Sequence, residues 1–176
     1  MILDIRGTNG SGKSYIPHKI LSDYENSPIL DESNNHLGYE VPDLNLAILG
    51  RYRTMCGGCD GIKTPDEVVD RVRRFAPKYV NVLFEGLLVS HTFKRYSQLA
   101  TELAEYDYKF LYLDTPTSVC IDRVKKRRIA KGNTKEFDPK NLLADYYRTW
   151  EVAKPKCENA GHDVIILDWK NAFSIV

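Results

Sequence analysis

Short apolar runs recur along the chain, and segments of helical spacing separate them. Residues 1–6, 44–49, 79–84, 108–113 and 163–167 read as strands, each bounded by Gly, Pro, Asn or Asp. Residues 39–41 and 44–49 flank Pro42-Asp43, which predicts a hairpin that ends in a core strand. Residues 27–31 form a short extended piece, and 34–38 read as a turn. Helical patterning predicts helices over 13–24, 64–76, 91–106, 117–129 and 141–160. In the third of these, Phe93, Tyr96, Leu99 and Leu103 carry the spacing. The second has the clearest start: Thr64 as N-cap, Pro65 at the first helical position and Glu67 at the capping-box position, with Pro77 as the stop. Gly161 stops the last.

Strands that alternate with helices imply right-handed βαβ units. The predicted class is therefore α/β, in three layers: a mostly parallel five-stranded sheet with helices on both faces. At 176 residues the chain is long enough for one such domain, 1–176. Ligands of these sheets sit beyond the carboxyl ends of the strands. That rule gathers 7–14, 51–60, Glu85, Asp114 and Trp169 at one rim.

The first turn of this pattern carries the strongest chemistry. Gly7-Thr8-Asn9-Gly10-Ser11-Gly12-Lys13-Ser14 fits G-x-x-x-x-G-K-[ST], the phosphate-binding P-loop. It has the context the motif needs, a strand before it and a helix after it. The glycines let backbone N–H groups turn inward, and the helix N-terminus adds partial positive charge. Lys13 can reach the β- and γ-phosphates of ATP, and Ser14 can ligate Mg²⁺. The fold is thus a P-loop NTPase fold, with ATP and Mg²⁺ as expected ligands.

Composition narrows the partners. The net charge is +1, so any polyanion site must be local. No apolar run approaches a membrane span, and the N-terminus reads as a core strand rather than a signal peptide. Four scattered cysteines do not make a disulfide framework. The expected setting is a reducing cytoplasm.

Other candidates lie on the same rim. Glu85, just beyond a strand that would neighbour the P-loop strand, can hold Mg²⁺ through water or take a proton from an attacking hydroxyl. Asp31 and Asp60 are alternative acceptors of that proton. Arg123, Lys125, Lys126, Arg127, Arg128, Lys131 and Lys135 form a run with no acid among them. Arg123 and Arg127 share a helix face and read as part of a lid that neutralises the transferring phosphoryl group. Lys125, Lys126 and Arg128 are either a solvated face or contacts to nucleic-acid phosphate. Arg51, Tyr52 and Arg53 suit an anion or a stacked base, with Tyr52 as plain core the alternative. Cys56-Gly57-Gly58-Cys59 has zinc-like spacing but no second pair; His91 or His36 could complete a site only through the fold, and a tight turn is the simpler reading. Asp168-Trp169 could stack an adenine or pack structurally.

Together the P-loop, Phe84-Glu85-Gly86, Leu113-Asp114-Thr115-Pro116 before Arg123 and Arg127, and a short lid resemble the P-loop kinases of nucleosides and nucleotides. Leu49-Gly50-Arg51-Tyr52 with Cys56 to Asp60, Phe84-Glu85-Gly86-Leu87-Leu88, and Gly132-Asn133-Thr134-Lys135 resemble more narrowly the small kinases of bacterial viruses, including kinases of 5-hydroxymethyluracil in DNA. The resemblance implies an ATP-dependent phosphotransferase with a lid at about 128–139 and an acceptor-side loop at about 50–63. Its acceptor would be the 5-hydroxymethyl group of a pyrimidine in phage DNA, in the host bacterial cytoplasm. A kinase of free nucleosides or nucleoside monophosphates is the alternative, and a nucleotide-binding switch without kinase activity is a third. Thymidylate kinases usually carry Asp-Arg where this chain has Glu85-Gly86, a departure that favours a hydroxyl acceptor. The chain has no long Walker-B strand ending in Asp-Glu, which argues against a mechanical ATPase.

Overall fold

A computed structural model describes residues 1–54, 57–168 and 170–171. The strands are β1 (Ile2–Arg6), β2 (Ser27–Leu30), β3 (His36–Val41), β4 (Leu46–Leu49), β5 (Asn81–Glu85), β6 (Tyr108–Asp114) and β7 (Asp163–Asp168). The α-helices are α1 (Tyr15–Asp23), α2 (Pro65–Phe75), α3 (Leu87–His91), α4 (Lys94–Glu102), α5 (Thr117–Ala130), α6 (Lys140–Tyr146) and α7 (Lys154–Asn159). The strands form one sheet in the order β2-β3-β4-β5-β1-β6-β7.

Five neighbouring strands, β4-β5-β1-β6-β7, run parallel, as the alternation of strands and helices predicts. The sheet has seven strands rather than five. β3 pairs antiparallel with β4 through the Pro42–Leu44 turn, and Asn45 takes a left-handed conformation (φ 43°) to reverse the chain. β2 then returns antiparallel to β3 at the edge. Its four residues Ser-Pro-Ile-Leu are largely exposed, so no alternation marks them as a strand. Pro28 is tolerated there because an edge strand can spare an N–H.

Period-2 alternation sends the strands' side chains to two cores, one per face. Leu3 and Ile5 of β1 meet Ile16 and Ile20 of α1, with Ile48, Leu83 and Leu111. Ile2 meets the other cluster, where Val72, Phe75, Phe84, Tyr96, Leu99 and Phe110 pack. Asp4 and Arg6 lie on that second face, both fully buried.

The helix boundaries also follow local chemistry. Thr64 Oγ1 accepts from Glu67 N at 3.1 Å, so the predicted cap of α2 is formed. The predicted helix 91–106 is instead two helices. Thr92 is extended (φ −98°, ψ 116°) and breaks the run. Its freed carbonyl accepts from Arg6 Nη1 at 3.1 Å. The predicted helix 141–160 is present as α6, a π-helical stretch Tyr147–Ala153, and α7. Among the described residues no helix is long and apolar enough to cross a membrane.

Candidate active site

β1 is the central parallel strand, and the Gly-rich turn leaves its carboxyl end. Gly10 (φ 86°) and Gly12 (φ 107°) adopt backbone conformations that L side chains rarely take. A Cβ at Gly10 would lie 2.7 Å from the Cys120 carbonyl oxygen, so α5 packs directly on the turn. Two hydroxyls brace it. Ser90 Oγ accepts from Gly7 N at 3.2 Å and donates to Gly86 O at 2.7 Å. Thr115 Oγ1, just past β6, donates to Ser11 O at 2.8 Å. Neither brace carries a sequence signal, because a lone Ser or Thr at a strand or helix end is common.

Lys13 is buried, and its Nζ donates to Gly7 O (2.7 Å) and Thr8 O (3.1 Å). Burial lowers its pKa; Glu85, Asp60 and Asp145 act in the opposite direction. The hydroxyls of Thr8 and Ser11 are buried and make no hydrogen bond. A Gly-rich loop before a helix N-terminus, a buried lysine and two unpartnered hydroxyls fit the phosphates of a nucleotide.

Register places the carboxylate. Ile5 of β1 lies opposite Glu85 at the end of β5. Glu85 Oε1 accepts from Ser14 Oγ at 3.0 Å, so the expected serine and carboxylate meet. Glu85 is 1% exposed. Burial pushes its pKa up to about 7, against the pull of Lys13 and the Ser14 hydrogen bond, while Asp60 adds to the rise. A carboxyl poised near neutrality can hold or release a proton.

The loop after β4 forms the opposite wall. Gly58 N donates to Arg51 O at 3.1 Å and closes the turn. Gly58 sits at φ 83°, and a Cβ there would lie 2.2 Å from Glu85 Oε1. Gly58→Ala is expected to cost about 1–3 kcal/mol from the backbone alone and to displace the Glu85 carboxyl. Urea denaturation with steady-state kinetics checks both effects. A variant with unchanged stability and turnover would show that the loop does not press on Glu85.

Asp60 lines the cleft and accepts from Leu87 N (2.9 Å) and Leu88 N (3.2 Å), which caps α3. Tyr52 is a core residue, not one that faces an acceptor. It is buried in the β4–α1 core, edge-on to His18 with ring centroids 5.4 Å apart. It cannot stack on a base. Its hydroxyl makes no hydrogen bond of normal geometry, yet it is near enough to Glu85 to lower that pKa. Arg51 and Arg53 are exposed. His18 Nε2 meets Thr54 O at 2.8 Å and ties this arm to α1.

Asp31 does not join the site. It accepts from Ser33 N, Asn35 N and Asn35 Nδ2 and builds the turn between β2 and β3. Cys59 is buried against the core beneath the loop. Cys56 and Trp169, and with them the zinc and adenine-stacking readings, lie outside the described residues. Among the described residues no group of three or more His, Cys, Asp or Glu side chains is placed to hold a metal ion.

The paired arginines of α5 both reach the P-loop, as their i, i+4 spacing predicts. Arg123 Nη1 donates to Gly10 O and Ser11 O, each at 3.2 Å. Arg127 Nη2 donates to Asn9 Oδ1 at 2.9 Å. Arg127, Asn9, Lys13, Ser14, Glu85 and Asp60 are among the residues lining a cleft of about 300 Å³. A second group went unread in the sequence. Asp145 lies 3.6 Å from His91 Nε2 and 3.7 Å from Arg148 Nη1, close enough to Lys13 to raise its pKa. Its three-residue spacing from Arg148 was the available signal.

A family model described as 5-hmdU DNA kinase matches residues 1–156. The chain belongs to the 5-hmdU DNA kinase family. It is therefore a P-loop kinase. The 5-hmdU DNA kinase of Pseudomonas phage PaMx11 is 35% identical over 99% of this chain and 94% of its own length. That of Bacillus phage SP10 is 26% identical over the whole of this chain, which spans only 27% of the longer relative. Among solved structures, the YorR protein of Bacillus subtilis in complex with phosphorylated GDP is similar over 97% of this chain and 86% of its own, at 16% identity and a TM-score of 0.47.

Proposed function

We propose that this kinase transfers the γ-phosphoryl group of ATP to the 5-hydroxymethyl group of hydroxymethyluracil in phage DNA, within the host bacterial cytoplasm. The observation that carries the reading is the buried Glu85 carboxyl, hydrogen-bonded to the P-loop serine and raised to about 7. A hydroxyl acceptor needs a base where a phosphate acceptor needs a cationic clamp. The relatives' names supply the identity of that hydroxyl.

In this reading residues 1–176 act as one kinase domain, with a lid at 128–139. The backbone of 7–14 and the hydroxyls of Thr8 and Ser11 hold the phosphates. Lys13 turns from the Gly7 and Thr8 carbonyls to the phosphate oxygens. Ser14, with Glu85 through water, would hold Mg²⁺, which would supply positive charge to the phosphates. Glu85 accepts the acceptor's proton as its oxygen bonds to the γ-phosphorus. The bond from that phosphorus to the β–γ bridging oxygen breaks, and ADP leaves. Arg123 and Arg127 bring positive charge to the group in transit while they brace the loop. Arg51 and Asp60 belong to the acceptor side, Asp60 by fixing the N-terminus of α3.

Transfer of γ-labelled phosphate tests this directly. The purified protein is offered DNA containing 5-hydroxymethyluracil beside a panel of free nucleosides and monophosphates. Label on the DNA is the expected result. Label on a free nucleotide alone would make this a nucleotide kinase on a shared scaffold, and ATP hydrolysis without a labelled acceptor would make it a switch.

A further inference from the structure

The groups that would act and the hydroxyl they would act on are both recessed. Lys13 is 6% exposed and Glu85 1%, at the floor of the cleft. Gly58 stands against Glu85 on one side, and Arg127 lines the other. A substituent at C5 of a pyrimidine lies where the thymine methyl lies, on the floor of a major groove about 8.5 Å deep. Reading that floor takes a protruding helix or ribbon. A concave site cannot reach a concave groove.

We propose that the target nucleotide leaves the helix and enters the cleft between residues 57–60 and Arg127. This rests on the reading of the acceptor as a base in DNA. An extruded base is itself a protrusion and can bring its hydroxymethyl oxygen down to Glu85. The lips of the cleft suit the DNA backbone on either side of it. On one side, Arg51 and Arg53 are exposed on the loop that supplies Gly57 and Asp60 to the cleft, and Arg51 pairs with Gly58. The other is the start of the lid, where Lys131 and Lys135 are exposed and the Arg128 guanidinium lies 5.5 Å over the Phe137 ring. Lys135, Arg128 and Phe137 share a recess of about 200 Å³ there. Among the described residues Arg51, Arg53, Lys131 and Lys135 form no ion pair, whereas their neighbour Lys126 pairs with Asp122. A chain of net charge +1 that keeps these cations without an ion pair on the two segments flanking the cleft offers local attraction for phosphate there.

The experiment compares three DNAs that carry one 5-hydroxymethyluracil: single-stranded, fully paired, and duplex with an abasic site opposite the target. Each has 2-aminopurine beside the target, and binding is measured with a non-hydrolysable ATP analogue. Extrusion predicts that the unpaired target is phosphorylated at least about tenfold faster, by kcat/KM, than the paired one. It also predicts that 2-aminopurine fluorescence in the paired duplex rises on binding. A fluorescence rise with that ratio supports extrusion, and equal rates on the paired and unpaired targets overturn it. Phosphorylation of the paired duplex with a flat signal overturns it. No label on any DNA overturns the acceptor reading first and the extrusion with it.

Discussion

Glu85→Gln is expected to lower turnover by about 10²–10⁴-fold while ATP binding persists and the nucleotide-free protein becomes more stable at pH 8. The first effect follows from removing the one buried carboxyl that faces both Lys13 and Ser14. The amide can still accept from Ser14 Oγ, so the loop that holds the phosphates keeps its shape. The second effect follows from burial. In the unfolded chain Glu85 titrates near 4.5; in the fold it is raised to about 7. Between those values the native state holds a proton that the unfolded state has released. Stability therefore falls as pH rises through that window, and the full cost applies above it. The rise corresponds to about 3 kcal/mol as an upper figure, because Lys13 loses part of its counter-charge when the carboxylate is removed. The uncharged amide of the variant would carry no such dependence. Urea unfolding without nucleotide or Mg²⁺ at pH 5 and pH 8 measures it, beside turnover and ATP affinity. A variant with wild-type turnover removes Glu85 from the chemistry. One that gains nothing at pH 8 shows that the carboxyl is not strained by burial.

This coupling of cost and function explains which parts of the site the sequence disclosed. A P-loop is legible because its backbone geometry demands glycines at fixed offsets and a lysine after them. Glu85 is legible because a parallel sheet puts the end of β5 beside the end of β1. Arg123 and Arg127 are legible because helical spacing puts both on one face. The sequence was mute where the fold decides which way a residue points. Tyr52, between two arginines in a Gly-rich stretch, suited a base as well as a core; with Arg51 paired to Gly58, its side chain is buried among Ile16, Ile20 and Ile48. Asp60 read as a free acid, and only the packing of its loop on α3 makes it a cap. β2 stayed hidden because an exposed four-residue edge strand has no inside to pattern. The break between α3 and α4 stayed hidden because its cause, a carbonyl needed by Arg6, lies 86 residues away.

That distant partner belongs to the second large effect expected. Asp4→Asn should destabilise the protein by about 3–5 kcal/mol, or roughly 6–20 °C in Tm. Asp4 and Arg6 are two apart on β1 and so share a face, in the middle of a sheet covered on both sides. Both side chains are 0% exposed. Arg6 donates to both carboxylate oxygens of Asp4, from Nε at 3.0 Å and Nη2 at 2.7 Å. Tyr108 OH donates to Asp4 Oδ2 at 3.1 Å, and the guanidinium lies 4.7 Å over the Phe110 ring. Every charge here is answered by geometry. Removing only the negative member leaves a guanidinium that water cannot reach. The double change Asp4→Leu with Arg6→Met should cost less than Asp4→Asn, because it removes both charges and fills the space with apolar atoms. The pair also serves the site. Arg6 immediately precedes the P-loop, and its bond to Thr92 O fixes the end of α3, the helix whose Ser90 holds Gly7 N. The double variant, folded but without that bond, is therefore expected to bind ATP more weakly than the wild type. Thermal melts of the three proteins with an ATP titration separate the two roles. Asp4→Asn at wild-type stability would sink the structural role, and wild-type ATP affinity in the double variant would sink the connection from the core to the phosphate loop.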